Sequence, residues 1–483
     1  MRDEVDMLYK TDMSASVDRP RVLVVGAGPS GLTAAHRLRG AGFHPVLIDQ
    51  RDRVGGQIRT RREAGYLMEE GATLLPSAYR PVLRIVEELG LHDALIPAGS
   101  RVGFARDGQV HELRSEALFR DAVRSPIVSA RSKLALAQLG LVNARIGKHL
   151  SYEDLSSAGR WDHETPKRFC ERHLGLSGEA YDYLIDSTVR GVLGVRSDTI
   201  SVVELFFMIN NILGTTLYAF RNGYSEYIEA LAAGHEVRLG ATVRELVETA
   251  DGVRASYTDA DGDHVEEAAA AVVTIRGDRI PDLLPGYFTD PSCEAFLRSL
   301  RYTKCVVMNV GVTTPPPGVR ASVSNIPESI DPGVMGFTCE HNKAPGRVPD
   351  GHGLLAFLAM TEHAERLVRE DDDTVREWFL RGAEKVLPGL SDTVDHTRIS
   401  RWNEVIVYSR PGLYRELGEF VRRRPRGSRI ELGGIFWSSS NICTATCSGE
   451  RAVRDLLPLL RADASPPAGV PVTVGERALD GVA

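Results

Sequence analysis

The chain has 483 residues, with 58 Lys and Arg against 65 Asp and Glu, for a formal charge of −7 at neutral pH. That length allows about two to four structural units, and 43% hydrophobic with 25% charged residues is a globular composition, which excludes a mostly disordered chain. The acidic balance gives no global reason to bind nucleic acid, and six scattered cysteines make neither a disulfide framework nor zinc spacing.

Residues 1–19 are polar and patternless and read as an arm, too acidic at the start for a signal peptide. With reduced cysteines, this predicts a cytoplasmic location. The all-apolar run 22–25 predicts a parallel strand buried on both faces. It leads into Gly26-x-Gly28-x-x-Gly31. Gly26 permits a tight turn, Gly28 lets the backbone approach a pyrophosphate, and Gly31 lets the next helix pack on the strand. Pro29 and Ser30 open that helix, which carries Leu32, Ala35 and Leu38 at helical spacing and aims its N-terminal amides at the anion. A second strand, 45–49, ends in Asp49, placed to bond a ribose hydroxyl pair.

Gln50, Arg51, Arg53, Gly55, Gly56, Gln57 and Ile58 follow. A second glycine pair with an arginine cluster serves a dinucleotide longer than NAD, so the expected cofactor is FAD. Residues 112–215 carry helical periodicity. Within them, 202–213 is the most apolar stretch, yet it is far shorter than the roughly 20 residues that span a bilayer. It predicts a buried or interfacial helix and no transmembrane segment. Strand-like 305–312 and helical 373–386 mark a region of mixed texture. The basic run 422–429 reads as a solvated loop, and the Pro-containing end as a tail. No metal-ligand pattern stands out.

The segment from Asp49 to Thr60 resembles the signature of the flavin amine oxidase superfamily, which includes monoamine oxidases, porphyrinogen oxidases and phytoene-type desaturases. Arg53, Gly55, Gly56 and Thr60 match it, whereas Gln57 stands where the family has Arg. Glu69-Glu70-Gly71-Ala72, with Thr73 after it, is similar to the family's acid-x-Gly-Ala segment beside the flavin. Phe220 to Gly223 resembles the glycine turn before the returning helix, and Val243 the valine whose backbone meets the adenine. Trp402, Tyr408 and Pro411-Gly412 resemble a segment of the porphyrinogen oxidase branch. Ile430 to Gly434, then Thr444, Ala445 and 447–452, resemble the C-terminal flavin motif.

The resemblance runs from about 20 to 460 and implies an α/β fold. A Rossmann-like FAD-binding domain of the glutathione-reductase type is interleaved with an α+β substrate domain containing a helical insertion. The FAD-binding domain is expected at 20–83, 228–285 and 425–462. The substrate domain is expected at 84–227 and 286–424, with its helical part at about 112–215 and a tail at 463–483.

The resemblance further implies non-covalent FAD, a small-molecule substrate, and O2 or another electron acceptor. Lys304 is one of only seven lysines and is the candidate near flavin N5. Tyr408 and Trp437, with Phe436, are candidates for a substrate wall; Ser438, Ser439, Ser440 and Asn441 could bond flavin or substrate. Cys443 and Cys447 are one helical turn apart and could be a redox pair or packing residues. The expected reaction is hydride removal from an amine carbon or a ring carbon of a small organic substrate, with secondary metabolism as one setting. A porphyrinogen oxidase, a non-redox flavin-dependent isomerase and an inactive flavin-binding protein remain alternatives. The oligomeric state stays open, a homodimer included.

Overall fold

The computed structural model describes residues 19–464 except 100, 107, 115–116, 118–119, 122–129, 179–180 and 212–213. The expected arm and tail therefore lie almost wholly outside the described residues.

A five-stranded sheet is ordered Glu236–Arg238, His44–Ile48, Arg21–Val25, Ala270–Val273, Ile430–Leu432, and every pairing is parallel. Its central strands are apolar on both faces because helices cover the sheet, as a parallel sheet requires. Helix Pro29–Gly40 packs beside the final helix Ile442–Ala464. Gly449 sets that closeness, since a Cβ there would lie 2.3 Å from the Ser30 carbonyl oxygen. A Cβ at Gly31 would lie 1.8 Å from the Gly26 carbonyl oxygen, so Gly31 lets its helix sit against the turn that precedes it.

A three-stranded antiparallel meander, Thr242–Glu248, Val253–Asp259 and Gly262–Ala268, follows the edge strand. A seven-stranded sheet forms a separate layer. Its order is Val394–Trp402, Cys305–Val312, Gly353–Ala359, Val334–Cys339, Val323–Asn325, Arg101–Arg106, Gln109–Arg114. Helix Asp372–Glu384 packs on it through Val375 and Phe379. The chain is thus mixed α/β with several sheets and a Rossmann-like nucleotide sheet.

Several boundaries differ from the sequence expectation. Residues 109–114 form a strand of the seven-stranded sheet, so the helical part does not begin at 112; helix Ala130–Ile146 belongs to it. Helix Tyr224–Ala232 crosses the expected bound at 228, and the final helix runs past 462. Helix Val202–Asn211 is buried, and no described helix is long and apolar enough to cross a membrane. The basic run is not a solvated loop throughout. Arg422 and Arg423 end helix Leu413–Arg423, while Arg424 is buried and donates to Glu431 at 2.7 Å. An arginine with a carboxylate partner can be buried where an isolated one cannot.

The layers are tied by a buried charge cluster. Glu69, Glu340, Lys343 and Arg347 are 2%, 0%, 2% and 0% exposed. The Arg347 guanidinium lies 2.7 Å from Glu340 and 3.5 Å from Glu69, and also donates to the Phe220 carbonyl. Lys343 donates to Glu340 and to Thr73. Glu69 accepts from Thr60 at 2.8 Å and from the Tyr224 amide at 3.0 Å. Burial, then the nearby Glu340 charge, pushes Glu69 up to about 7. Burial opposes ionisation of Glu340 too, but Lys343 and Arg347 outweigh it and hold its carboxyl below the usual range.

Arg347→Met leaves two carboxylates sharing one ammonium. Breaking a buried pair costs about 3–5 kcal/mol, so a clear drop in the urea unfolding midpoint is expected. Glu69 titrates near 7 folded against 4.5 ordinarily, so the folded chain keeps a proton that the unfolded chain has released. Its contribution to stability is complete below pH 4.5 and is lost as pH rises through about 7. Glu69→Gln should flatten that fall in unfolding curves measured across this range; an unchanged slope would refute the assignment.

Candidate active site

A cavity of about 970 Å³ runs from the glycine loop of the parallel sheet to the seven-stranded sheet. That is the upper end of the roughly 300–1,000 Å³ of small-molecule and cofactor sites. At one end, Gly26 turns with φ +108°, where a Cβ would meet Thr274 Oγ1 at 2.7 Å. The Asp49 carboxylate is fixed by two backbone amides, Ala27 at 2.7 Å and Arg51 at 2.8 Å. A Cβ on Gly28 would touch only Gly56 Cα, at 3.9 Å, so the remaining space beside Gly28 is open. Gly56 has φ +58°, and its Cβ would press Gly28 at 3.3 Å.

Arg53 shapes this second glycine pair from behind. Its guanidinium donates to the carbonyls of Gly56, Ile58 and Val54 at 2.8, 2.9 and 3.1 Å. Gln57 donates to the Glu404 carbonyl at 2.6 Å, tying the loop to the far sheet. Gly71 is required because a Cβ there would lie 2.2 Å from the Gln57 carbonyl oxygen. Trp402 closes this wall by donating to the Glu70 carbonyl at 2.5 Å.

The final helix presents its N-terminus to the cavity through Ile442 and Ala445. Asn441 caps it, accepting from the Thr444 amide at 2.9 Å. Its amides and dipole favour negative charge at this wall. The end nearest the seven-stranded sheet is lined by Leu193, Met335, Leu358, Ala359, Ile406 and Lys304. The Lys304 amide donates to Thr361 at 2.8 Å, while its half-buried side chain makes no hydrogen bond or ion pair among the described residues.

Gly26, Gly28, Pro29, Ser30, Asp49, Gln50, Arg51, Gly56, Gln57, Ile58, Gly71, Ala72, Val243, Gly434, Ala445 and Lys304 all line the cavity. Gly31 and Gly55 stand behind the lining and permit close packing. Three further candidates are displaced from it. Thr73 is drawn into the buried charge cluster by Lys343 and Glu340. Thr444 turns inward to donate to the Ser439 carbonyl at 2.6 Å. Tyr408 packs against the core, its amide bonded to the Arg301 carbonyl at 2.8 Å. Trp437 is also no substrate wall: it is buried under Arg451, whose guanidinium sits 3.6 Å from its ring centre, and beside Phe436. Of the serine run, Ser439 and Ser440 line the cavity, while Ser438 bonds the Ser151 carbonyl.

Sequence reasoning missed Tyr79, Tyr224, Arg276 and Tyr302 on the walls. Tyr224 follows the Gly223 turn, which was the available signal, and its buried hydroxyl has no hydrogen-bond partner among the described residues. Cys443 and Cys447 are free thiols that do not line the cavity, and burial pushes Cys443 well up.

These residues fit FAD. A glycine cradle open on one side, an immobilised carboxylate and a capped helix N-terminus suit a dinucleotide's phosphates, ribose and electron-rich ring in turn. Gly28→Val puts a side chain into the open side, where its Cβ meets only Gly56 Cα, at 3.9 Å. It should therefore abolish flavin absorbance in the purified protein while leaving its circular dichroism unchanged. Normal flavin content in this variant would overturn the placement of the phosphates.

Residues 29–457 match the family described as flavin containing amine oxidoreductase. Mitochondrial protoporphyrinogen oxidase of Nicotiana tabacum is 30% identical over 188 residues, 38% of this chain and 35% of that protein. Polyamine oxidase 1 of Oryza sativa subsp. japonica is 47% identical over 76 residues, 15% of each. The chain thus spans about a third or less of the length of these curated relatives. In fold it is similar to cyclohexylamine oxidase from Brevibacterium oxydans IH-35A, with TM-score 0.74, 15% identity, and 92% and 100% of the two chains covered. It is similar also to putrescine oxidase bound to putrescine, with TM-score 0.71, 17% identity, and 91% and 99% covered. With a match over most of its length, the chain belongs to the flavin-containing amine oxidoreductase family.

Proposed function

We propose that this chain is an FAD-dependent oxidase or dehydrogenase acting on a small organic substrate, with O2 or a carrier as the electron acceptor. The observation that carries the reading is one continuous cavity joining the glycine cradle and Asp49 to the apolar end at Lys304. Bound flavin supplies hydride acceptance from a substrate C–H bond and passes the electrons on. The chain's own residues bind, orient and exclude water. Asp49 and the cradle hold the nucleotide half; the capped helix Ile442–Ala464 stabilises negative charge at the cavity wall; Lys304 offers a donor at the apolar end. Binding is read as non-covalent; Cys443 and Cys447 stand outside the cavity, and Cys305 is the one cysteine on its lining among the described residues.

The cofactor domain is assigned to the expected segments 20–83, 228–285 and 425–462, with the second extended back to 224 and the third on to 464 so that no helix is cut, in the glutathione-reductase manner, with the remainder forming the substrate domain. All five strands of the parallel sheet fall in those three segments, which supports this division.

The apolar end also bears on substrate class. Besides Asp49, the carboxylates lining the cavity are Asp282 and Glu404, and each is held by an arginine, Arg298 at 2.8 Å and Arg276 at 2.6 Å. Neither is left for a substrate ammonium, while Lys304 would repel one. A neutral or acidic molecule oxidised at a ring carbon therefore suits the site better than a cationic amine, and this keeps a porphyrinogen among the substrates to test.

Anaerobic mixing with amines, porphyrinogens and neutral cyclic metabolites, read as bleaching of the flavin absorbance, tests this. Bleaching by a ring-carbon substrate is expected; bleaching by simple amines alone would reverse the substrate assignment, and no bleaching would favour a non-redox role. Lys304→Met should slow flavin reduction or reoxidation about tenfold or more. Unchanged stopped-flow rates would remove Lys304 from the site.

A further inference from the structure

Across Trp402 and Glu404 from the large cavity lies a second pocket, of about 340 Å³. Its charged walls are Arg51, Arg53, Arg59, Arg398 and Arg401 against Glu70 and Glu404. The carboxylates do not balance the guanidinium groups. Glu404 is held by Arg276 at 2.6 Å, from outside the pocket. Glu70, itself buried, is shared by Arg61 at 2.8 Å, Arg59 at 3.3 Å and Arg398 at 3.8 Å.

The arginines divide into two groups. Arg53 and Arg51 are spent on the carbonyls of the glycine loop, and Arg401 on Asp372 at 2.6 Å and the Glu370 carbonyl at 2.7 Å. These three supply fixed positive charge. Arg59 and Arg398 have few commitments. The buried Nε of Arg398 has no hydrogen-bond partner among the described residues, and the remaining carboxylate neighbour of its guanidinium, Glu63, is 3.8 Å away. Burial, and then the charges of Arg51 and Arg59, lower the Arg53 pKa, as crowding of like charges requires. A concave site of one sign focuses its field, and guanidinium forks match the paired oxygens of phosphate and carboxylate.

We propose that this pocket is an anion site, in which Arg59 and Arg398 bind the phosphate or carboxylate group of a small-molecule ligand. Arg51, Trp402 and Glu404 line both this pocket and the large cavity, but Gly28, Ser30 and Gly56, the residues suited to the cofactor's phosphates, line only the large cavity, and neither Arg59 nor Arg398 lines it. An acidic substituent of a molecule entering beside Trp402 and a free anion present the same chemistry to it.

The test is isothermal titration of the FAD-loaded protein, in chloride buffer of constant ionic strength, with inorganic phosphate, pyrophosphate and citrate in separate arms. Saturable binding of at least one probe is expected. Tighter binding of phosphate and pyrophosphate identifies phosphate as the preferred group, and tighter binding of citrate identifies carboxylate. The Arg59→Gln/Arg398→Gln double variant should weaken binding at least tenfold, and Arg398→Lys less, since it keeps the charge and loses the fork. Arg376→Gln, on the exposed face of helix Asp372–Glu384, should leave it unchanged. Flavin absorbance in each variant reports folding independently of the anion.

No saturable heat up to 10 mM probe (roughly the weakest affinity worth calling a site) would overturn the proposal. Binding that the double variant leaves intact would do the same. Binding seen only after FAD is stripped would show that the arginines serve the cofactor, and would also overturn it. A preparation that takes up no flavin would refute the flavin reading instead, and titration of that protein would still decide the pocket.

Discussion

Glu69, Glu340, Lys343 and Arg347 meet in a dry space between the hairpin that follows the flavin loop and the seven-stranded sheet, and the geometry of the cavity depends on that meeting. Glu69 ends the strand Tyr66–Glu69, directly before the Glu70-Gly71-Ala72 wall. Glu340, Lys343 and Arg347 follow the strand Val334–Cys339 of the other layer. Charges this deeply buried tolerate little displacement, because each loses its partner before it can reach water. The cluster also bonds Thr73, the Phe220 carbonyl and the Tyr224 amide, and so sets the turn that brings Tyr224 to the cavity.

Around that anchor, the cofactor end depends on where atoms are missing. Gly28 leaves open space beside Gly56, Gly31 lets its helix sit against the Gly26 turn, Gly449 lets two helices approach, and Gly71 lets the wall lie against the Gln57 carbonyl. The substrate end is built differently. Its walls are apolar, the cavity's Asp282 and Glu404 are already paired with arginines, and Lys304 has no such partner among the described residues. The second pocket repeats this imbalance more strongly, with one shared carboxylate among several arginines. Positive charge therefore collects on both sides of Trp402.

Gln57 shows how a departure from the family pattern can be absorbed. Where the family has Arg, the shorter amide reaches the Glu404 carbonyl and ties the loop to the opposite sheet. The polar segment after Gly434 is accommodated in a similar way. Ser438 and Asn441 satisfy backbone groups, and Ser439, Ser440 and Asn441 line the cavity.

The sequence by itself determined the nucleotide loop, its helix, Asp49, the second glycine pair and the returning strands. Each is a contiguous pattern whose spacing is dictated by backbone geometry. Tertiary structure decided which side chains face the cavity. Tyr408 and Trp437 are aromatic residues in the expected segments, but Trp437 is claimed by Arg451 and Tyr408 by the core. The sequence alone carried no sign that Lys343 would be buried between carboxylates and Lys304 left unpaired, since partners such as Thr73 and Glu69 are about 270 residues away along the chain. The rarity of lysine marked both positions; only the packing of the two layers told them apart, because a charge's role depends on the partners and the water that folding leaves to it.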